Sequence, residues 1–176
     1  MREDPAPIER EIKLLFENAD QARRAIEATG AALLHARRLQ DDALFDTEAQ
    51  TLGRSGCALR IRRERRSAGL APDRVFVTFK GPVQPGTMKM REEHETAVGD
   101  GAVLERLFEA LGLRVWFRYQ KFREEYASAD ATIAIDDTPV GTFVEIEGAE
   151  DAILSLTQAH GRTPADFILD SYRSLF

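Results

Sequence analysis

The feature that most constrains the fold of this chain is a regular alternation of charged and apolar residues along short segments. In segment 8–16 charged residues occupy every second position, at Glu9, Glu11 and Lys13. Apolar residues occupy the positions between them, at Ile8, Ile12 and Leu14, with Arg10 as the exception. Successive side chains of a β-strand point to opposite faces of its sheet. The segment therefore predicts a strand with one charged and one apolar face.

The same pattern recurs along the chain. Seven further segments show this alternation or an enrichment in β-branched and aromatic residues, which favours strands: 34–45, 57–65, 74–81, 87–98, 113–126, 131–137 and 142–148. Charged residues share one face in most of them: Arg60 with Arg62; Lys80; Arg91 with Glu93 and Glu95; Lys121 with Arg123 and Glu125; and Glu145 with Glu147. Arg63 has the opposite parity from Arg60 and Arg62, so we expect it outside this charged set.

Three segments have the periodicity of helices, at 18–29, 101–111 and 149–160. Asn18 is a suitable N-cap for the first, and Gly30 and Gly112 follow the first two as stop signals. The chain has 176 residues, no internal repeat and no long linker, which predicts one domain over 1–176. The fold class is α+β, with a large antiparallel sheet.

Two arrangements of the charged strand faces compete. In an ordinary amphipathic sheet these faces would lie in water, where most charged residues are found. However, the helices must cover an apolar surface, and eight antiparallel strands can close into a barrel that leaves no exposed edge. The charged faces then line the interior. We therefore predict an eight-stranded antiparallel closed β-barrel with helices packed outside.

A charged interior is physically reasonable when it binds a highly charged ligand, because isolated buried charges are very costly. Lysine and arginine converging from several strands suit a polyanion, and arginine grips phosphate oxygens in pairs. Carboxylates on neighbouring strands suit hard divalent cations such as Mg²⁺ or Mn²⁺. The two sets together predict a metal-chelated polyphosphate.

Composition restricts the expected cellular location and binding partners. No apolar run approaches the length of a membrane span, and the first residues, MREDPAPIE, contain no hydrophobic signal-peptide core. The single cysteine, Cys57, is compatible with a reducing compartment. The net charge of −6 argues against general binding of nucleic acid. We therefore expect a cytoplasmic protein with a small-molecule partner, no nucleic acid and no membrane.

Sequence motifs in chain order resemble those of the CYTH superfamily, the triphosphate tunnel metalloenzymes. Glu9-Arg10-Glu11-Ile12-Lys13 resembles the ExExK signature, and LFDTEAQTL followed by CALRIRRE resembles the aromatic-Asp-Thr segment and the paired-arginine strand. VFVTFKGP, REEHE and YQKFREEY are similar to the lysine, RxExE and KxR strands. IAIDDTPVGTFVEIEG resembles the acidic hairpin, and SYRSLF the closing Ser-Tyr segment. The resemblance covers essentially the whole chain.

This resemblance implies a triphosphate substrate, dependence on Mg²⁺ or Mn²⁺, and roles for fourteen residues. The implied metal ligands are Glu9, Glu11, Asp136, Glu145 and Glu147, with Glu93 and Glu95 as further contributors. The implied phosphate binders are Lys13, Arg60, Arg62, Lys80, Arg91, Lys121 and Arg123. Glu9, Glu11 and Lys13 are the expected catalytic residues. Asp136 is preferred to Asp137 because it shares its parity with Ala134, opposite Ile133 and Ile135.

Three functions remain open at this point. The first is a hydrolase of inorganic or organic triphosphates, and the second is an adenylate cyclase making cyclic AMP from ATP. The third is a non-catalytic sensor of polyphosphate or nucleotide, which the full acidic set disfavours. We expect Ser171 and Tyr172 to pack or cap the C-terminus. A homodimer is expected on general grounds.

Overall fold

The computed structural model describes residues 8–66 and 73–176. Within these ranges the strands are β1 (Ile8–Phe16), β2 (Ala32–Asp46), β3 (Ala58–Arg66), β4 (Arg74–Lys80), β5 (Lys89–Val98), β6 (Arg114–Ser128), β7 (Ala131–Thr138) and β8 (Gly141–Gly148). Their order in the sheet is β1-β5-β4-β3-β2-β6-β7-β8, and β8 pairs with β1, which closes the sheet. The predicted α+β fold with eight antiparallel strands in a closed sheet is confirmed.

Five helices and one 3₁₀ turn accompany the strands in the described ranges. They are α1 (Ala19–Ala28), α2 (Thr51–Arg54), α3 (Gly101–Ala110), α4 (Glu150–Ala159) and α5 (Tyr172–Leu175), with the turn at Pro164–Asp166. The three predicted helices correspond to α1, α3 and α4. The Asn18 side chain accepts a hydrogen bond from the amide of Gln21, as predicted for an N-cap. None of the described helices is long and apolar enough to cross a membrane.

The described residues fall into two compact groups. Unit 1 contains residues 8–9, 40–66, 73–84 and 91–120, and unit 2 contains Arg10–Leu39, Pro85–Met90 and Lys121–Phe176. We describe each unit separately.

The core of unit 2 lies between helices and the apolar faces of β1, β7 and β8. Fully or almost fully buried side chains from the three strands pack against Ala22 and Ile26 of α1 and Ile153 and Leu156 of α4: Ile12, Leu14, Ile133, Ile135, Val144 and Ile146. These are the apolar positions of the sequence alternation. Since the helices occupy this side, the charged residues of the same strands point away from the helices.

The core of unit 1 is smaller and is built in the same way. Ala43, Phe45 and Ile61 are buried, and side chains of α3 pack against them. The rings of Phe45 and Phe108 meet edge to face with centroids 5.2 Å apart. Arg63 points to this helical side, where it pairs with Glu105 of α3 at 2.9 Å. The predicted exclusion of Arg63 from the charged set is therefore confirmed.

Candidate functional site

Charged side chains of unit 2 converge from neighbouring strands into what we name the Asp136 cluster. The strand register places Lys13 opposite Glu145 and Arg123 opposite Asp136, so each cation lies beside an acid on the next strand. The cluster consists of Glu11, Lys13, Lys89, Lys121, Arg123, Asp136, Glu145 and Tyr172.

Asp136 is the most enclosed acid of this cluster, with no exposed surface. Its carboxylate accepts hydrogen bonds from Lys121 Nζ at 2.6 Å, from Arg123 Nε at 2.7 Å and from the Tyr172 hydroxyl at 2.6 Å. Burial alone would raise the pKa of Asp136, but Arg123 and Lys121 hold it below its ordinary value. The acid is therefore ionised at neutral pH, and its charge is balanced within the protein.

Lys13 shows the complementary arrangement, in which one ammonium lies between two acids. It is 2% exposed, and its Nζ lies 3.3 Å from an oxygen of Glu11 and 3.3 Å from an oxygen of Glu145. Burial alone would lower the pKa of Lys13, but the two carboxylates raise it above its ordinary value. Glu11 also accepts from Lys89 at 2.6 Å, and Glu145 accepts from Arg123.

Tyr172 joins this cluster from the C-terminal helix. Lys121 Nζ lies 4.5 Å and Lys13 Nζ 5.3 Å from the centroid of its ring, positions that favour cation–π attraction. Tyr172 packs as expected, with its ring edge to face on that of Phe143, and its hydroxyl also donates to Asp136. Ser171 does cap the helix, since its side chain accepts from the amide of Ser174.

Unit 1 carries a second group, which we name the Asp42 cluster. It consists of Glu9, Gln40, Asp42, Arg60, Arg62, Glu64, Lys80, Arg91, Glu93, Glu95 and Tyr119. Asp42 has no exposed surface and accepts from Nε and Nη2 of Arg62, each at 2.7 Å. Burial and the charge of Asp42 raise the pKa of the Tyr119 hydroxyl, which bonds to that carboxylate.

Lys80 lies between two acids of the Asp42 cluster, as Lys13 does in the Asp136 cluster. Its Nζ is 2.7 Å from Glu9 and 2.7 Å from Glu93. Burial would raise the pKa of Glu93, but Lys80 is the largest influence that holds it below its ordinary value. Arg91 lies 3.6 Å from Glu9, and Arg60 lies 3.3 Å from Glu95.

The two units divide the fourteen predicted site residues evenly, and all but Glu147 belong to the two clusters. Unit 1 holds Glu9, Arg60, Arg62, Lys80, Arg91, Glu93 and Glu95, whereas unit 2 holds Glu11, Lys13, Lys121, Arg123, Asp136, Glu145 and Glu147. Glu147 lies opposite Glu11 in the strand register and is exposed.

Several members of these clusters were not predicted. The sequence pattern did not single out Gln40 and Asp42 of β2, Glu64 of β3 or Lys89 of β5, although all four are buried. Lys89 and Glu64 share the parity of the predicted residues on their strands, so the alternation alone could have identified them. The two residues of β2 could not be found in this way, because that strand carries charges on both faces.

The acidic residues have the right chemistry for a divalent metal but are engaged with cations. Carboxylate oxygens are the ligands that Mg²⁺ and Mn²⁺ prefer. Within residues 8–66 and 73–176, no three His, Cys, Asp or Glu side chains converge as a ready-made metal site. Glu11, Asp136 and Glu145 each contact a lysine or an arginine instead. The donor set therefore fits such a metal, provided that carboxylates exchange a basic partner for it.

Comparisons with known proteins agree on one family. A sequence model described as the CYTH domain matches residues 7–160. A protein of Methanocaldococcus jannaschii, named as a candidate adenylate cyclase, is 30% identical over 141 residues, which cover 80% of this chain and 76% of that protein.

Solved structures share the fold at lower identity. A candidate adenylate cyclase of Vibrio parahaemolyticus has a TM-score of 0.81 and 19% identity, covering 97% of this chain and 98% of that one. A Hippeastrum protein, described as a candidate adenylyl cyclase with a dominant triphosphatase activity, has a TM-score of 0.64 and 17% identity, covering 96% and 94%.

Proposed function

The chain belongs to the CYTH domain family, and from this premise we propose that it is a metal-dependent hydrolase of triphosphate substrates, inorganic or organic. The observation that carries this proposal is that buried lysines are paired with carboxylates. Lys13, Lys80 and Lys121 each lie within 3.3 Å of a carboxylate. A polyanion can replace the carboxylates as the partner of these cations, while a metal ion replaces the cations as the partner of the carboxylates. Neither the buried cations nor the buried carboxylates then lack an opposite charge.

In this proposal the basic residues of each cluster contribute to the binding of phosphate oxygens. These are Lys13, Arg60, Arg62, Lys80, Arg91, Lys121 and Arg123. Arginine offers paired donors that match phosphate geometry, and lysine offers a compact positive charge. Phosphoryl transfer requires mainly positioning and charge stabilisation, so side chains held in place by packed strands are suited to it.

The acidic residues would hold Mg²⁺ or Mn²⁺, with Glu9, Glu11, Asp136, Glu145 and Glu147 as ligands and Glu93 and Glu95 as contributors. When bound, such a metal neutralises charge on the phosphate oxygens. Glu9 or Glu11 would orient the attacking water and accept its proton, while Lys13 stabilises the phosphate that leaves. The water oxygen forms a bond to phosphorus as the bridging P–O bond breaks.

An adenylate cyclase is the second candidate function. It is favoured by the name of the Methanocaldococcus jannaschii relative, which covers most of this chain. In that reaction the ribose 3′-hydroxyl, rather than water, attacks the phosphorus nearest the ribose and releases pyrophosphate. The triphosphatase activity named for the Hippeastrum protein supports the hydrolase.

Product analysis separates these functions. The purified chain is incubated with Mg²⁺ or Mn²⁺ and with tripolyphosphate or ATP, alongside Glu147→Gln and the matched surface variant Glu150→Gln. We expect orthophosphate release that is lost in Glu147→Gln and kept in Glu150→Gln. Cyclic AMP and pyrophosphate from ATP would establish the cyclase instead. Binding of both compounds without turnover would leave a non-catalytic sensor and contradict the proposal.

We also propose that residues 1–176 act as one domain, because the family match spans most of the chain. The cytoplasmic location and the preference for a small molecule over nucleic acid stay predictions from composition. The homodimer is a prediction that sedimentation equilibrium would test.

A further inference from the structure

A buried hydrogen-bond acceptor in the Asp42 cluster has no partner within residues 8–66 and 73–176. Gln40 is 1% exposed, and its Nε2 donates to an oxygen of Glu64 at 2.6 Å. The other end of this amide, Oε1, accepts no hydrogen bond from any residue that the structure describes. Buried polar atoms are nearly always paired, so this carbonyl indicates a group that the protein binds.

Glu64 fixes which end of the amide is left over. The NH₂ group of Gln40 donates to Glu64, as it must to an ionised carboxylate, and the carbonyl therefore faces away from Glu64. The missing partner is therefore an N–H or O–H donor. A fully ionised phosphate group only accepts hydrogen bonds, so a fully ionised, metal-chelated inorganic triphosphate does not supply this donor.

The unpaired carbonyl lies close to proposed phosphate-binding residues of the same unit. Glu64 is two residues from Arg62 on β3, and Gln40 is two residues from Asp42 on β2. Two residues of a strand span about 6.6 Å. A triphosphate held by Arg60 and Arg62 would therefore place the organic group attached to it near Gln40.

An aromatic ring borders the same region. The register places Phe76 of β4 directly opposite Arg62, so both side chains are on the same face of the sheet. Its ring packs against the guanidinium of Arg74, with 4.8 Å from the guanidinium carbon to the ring centroid. Aromatic side chains beside hydrogen-bonding groups are suited to nucleosides, which present a flat base and polar edges.

We infer that Gln40, oriented by Glu64, recognises the organic group of a nucleoside triphosphate, with its carbonyl accepting from an N–H or O–H donor of the nucleoside. This inference rests on the proposed binding of triphosphates but not on their hydrolysis. It makes Gln40 a specificity-determining residue that favours nucleoside triphosphates over inorganic triphosphate.

Equilibrium binding tests the inference independently of turnover. Calorimetry with Mg²⁺ gives Kd for the β,γ-methylene analogue of ATP and for a methylene analogue of tripolyphosphate. Gln40→Met keeps the length of the side chain and removes the carbonyl. We expect it to weaken binding of the ATP analogue about tenfold, as for the loss of one buried hydrogen bond, and to change binding of the tripolyphosphate analogue less than about twofold.

Gln120→Met is the matched control, because Gln120 bonds to Asp41 on the other face of the sheet. It should leave both Kd values unchanged. Equal losses for both ligands in Gln40→Met, or no loss for either, would overturn the inference and leave a buried water as the partner of the carbonyl.

A ligand series on the unmodified chain needs no variant to fold. ATP analogues that lack the 2′-hydroxyl, the 3′-hydroxyl or the 6-amino group each remove one donor. We expect one of these analogues to bind about tenfold more weakly than the ATP analogue, because it lacks the donor to Gln40. The Kd of that analogue should be the same in the parent chain and in Gln40→Met. If all three bind as well as the ATP analogue, the inference is wrong. A chain that binds the series as expected but hydrolyses nothing would refute the proposed function and leave this inference standing.

Discussion

At the scale of single residues, the two aspartates at the end of β7 have contrasting environments. Asp136 is fully buried and accepts from two cations and a tyrosine. Asp137, the next residue, has a side chain 38% exposed and pairs with Arg37 at the surface. The two aspartates therefore form a matched pair in which burial differs and chemistry does not.

We expect Asp136→Asn to lower the free energy of unfolding by about 3–5 kcal/mol, because Lys121 and Arg123 each lose a buried carboxylate partner. Asp137→Asn should cost only about 0–1 kcal/mol, as for an exposed ion pair. Urea unfolding at pH 7 measures both. Equal effects of the two substitutions would show that the buried cluster is not electrostatically balanced by Asp136.

At the scale of elements, Asp46 organises the turn between β2 and α2. Its side chain is 1% exposed and accepts from the amides of Thr47 at 2.7 Å, Leu52 at 3.0 Å and Gly53 at 2.8 Å. Burial alone would raise the pKa of Asp46, but these amides hold it below its ordinary value of 3.8. The resemblance to the family's aromatic-Asp-Thr segment thus coincides with a structural role in this chain.

Asp46→Ala should lower the free energy of unfolding by about 1–3 kcal/mol at pH 7, because three partly buried amides lose their acceptor. Since the folded pKa is depressed, this stabilisation is complete above pH 3.8 and is lost as the pH falls through the folded pKa. The difference between Asp46→Ala and the parent chain should therefore shrink in strong acid. Thermal unfolding from pH 7 to pH 2 checks this. Glu48→Ala is the control, because its side chain is 82% exposed and should show neither effect.

The elements also show what the sequence could and could not predict. Strands β1, β7 and β8 were predictable because one face packs against helices, so their buried apolar residues recur at every second position despite Arg10 in β1. Strand β2 breaks the alternation because Asp41 pairs with Arg118 on one face while Asp42 pairs with Arg62 on the other. Helices α2 and α5 have only four residues each, too few for a helical period to appear. Tyr172 reaches Asp136 through tertiary contacts that no local pattern records.

At the scale of the whole molecule, one histidine couples stability to pH. The ring of His160 packs edge to face on Phe16, with centroids 6.1 Å apart. Neither ring nitrogen has a hydrogen-bond partner among the described residues. Burial, together with the charge of Arg162, lowers the pKa of His160 below its ordinary value of 6.5. The folded protein therefore favours the neutral imidazole.

Because the unfolded chain binds a proton at this site more readily, the stability provided by His160 is complete above pH 6.5 and declines as the pH falls towards the folded pKa. We expect His160→Phe to flatten the dependence of the unfolding free energy on pH just below pH 6.5. His94→Phe is the control, because the side chain of His94 is 53% exposed. An unchanged slope in His160→Phe, measured by urea unfolding, would contradict the prediction.

Binding by the whole molecule depends on charge balance. The Asp136 cluster contains four cations, Lys13, Lys89, Lys121 and Arg123, and three carboxylates, Glu11, Asp136 and Glu145. It is thus nearly neutral before any ligand binds. A triphosphate alone would add several negative charges to it, and a divalent metal alone would add positive charge near buried lysines. Each ligand removes the electrostatic penalty of the other, so we expect them to bind cooperatively.

Removal of the metal should therefore weaken binding of a methylene analogue of tripolyphosphate about 5–150-fold, the usual range of such coupling. Calorimetric titrations in Mg²⁺ and in excess EDTA give the two Kd values, and circular dichroism verifies that the fold is kept. Because coupling is reciprocal, altering a proposed metal ligand in Glu147→Gln should reduce the ratio of Kd in EDTA to Kd in Mg²⁺. Glu150→Gln, the surface control, should leave this ratio unchanged. Equal affinities with and without metal would show that the buried cations alone bind the polyanion, and would remove the metal from the proposed mechanism.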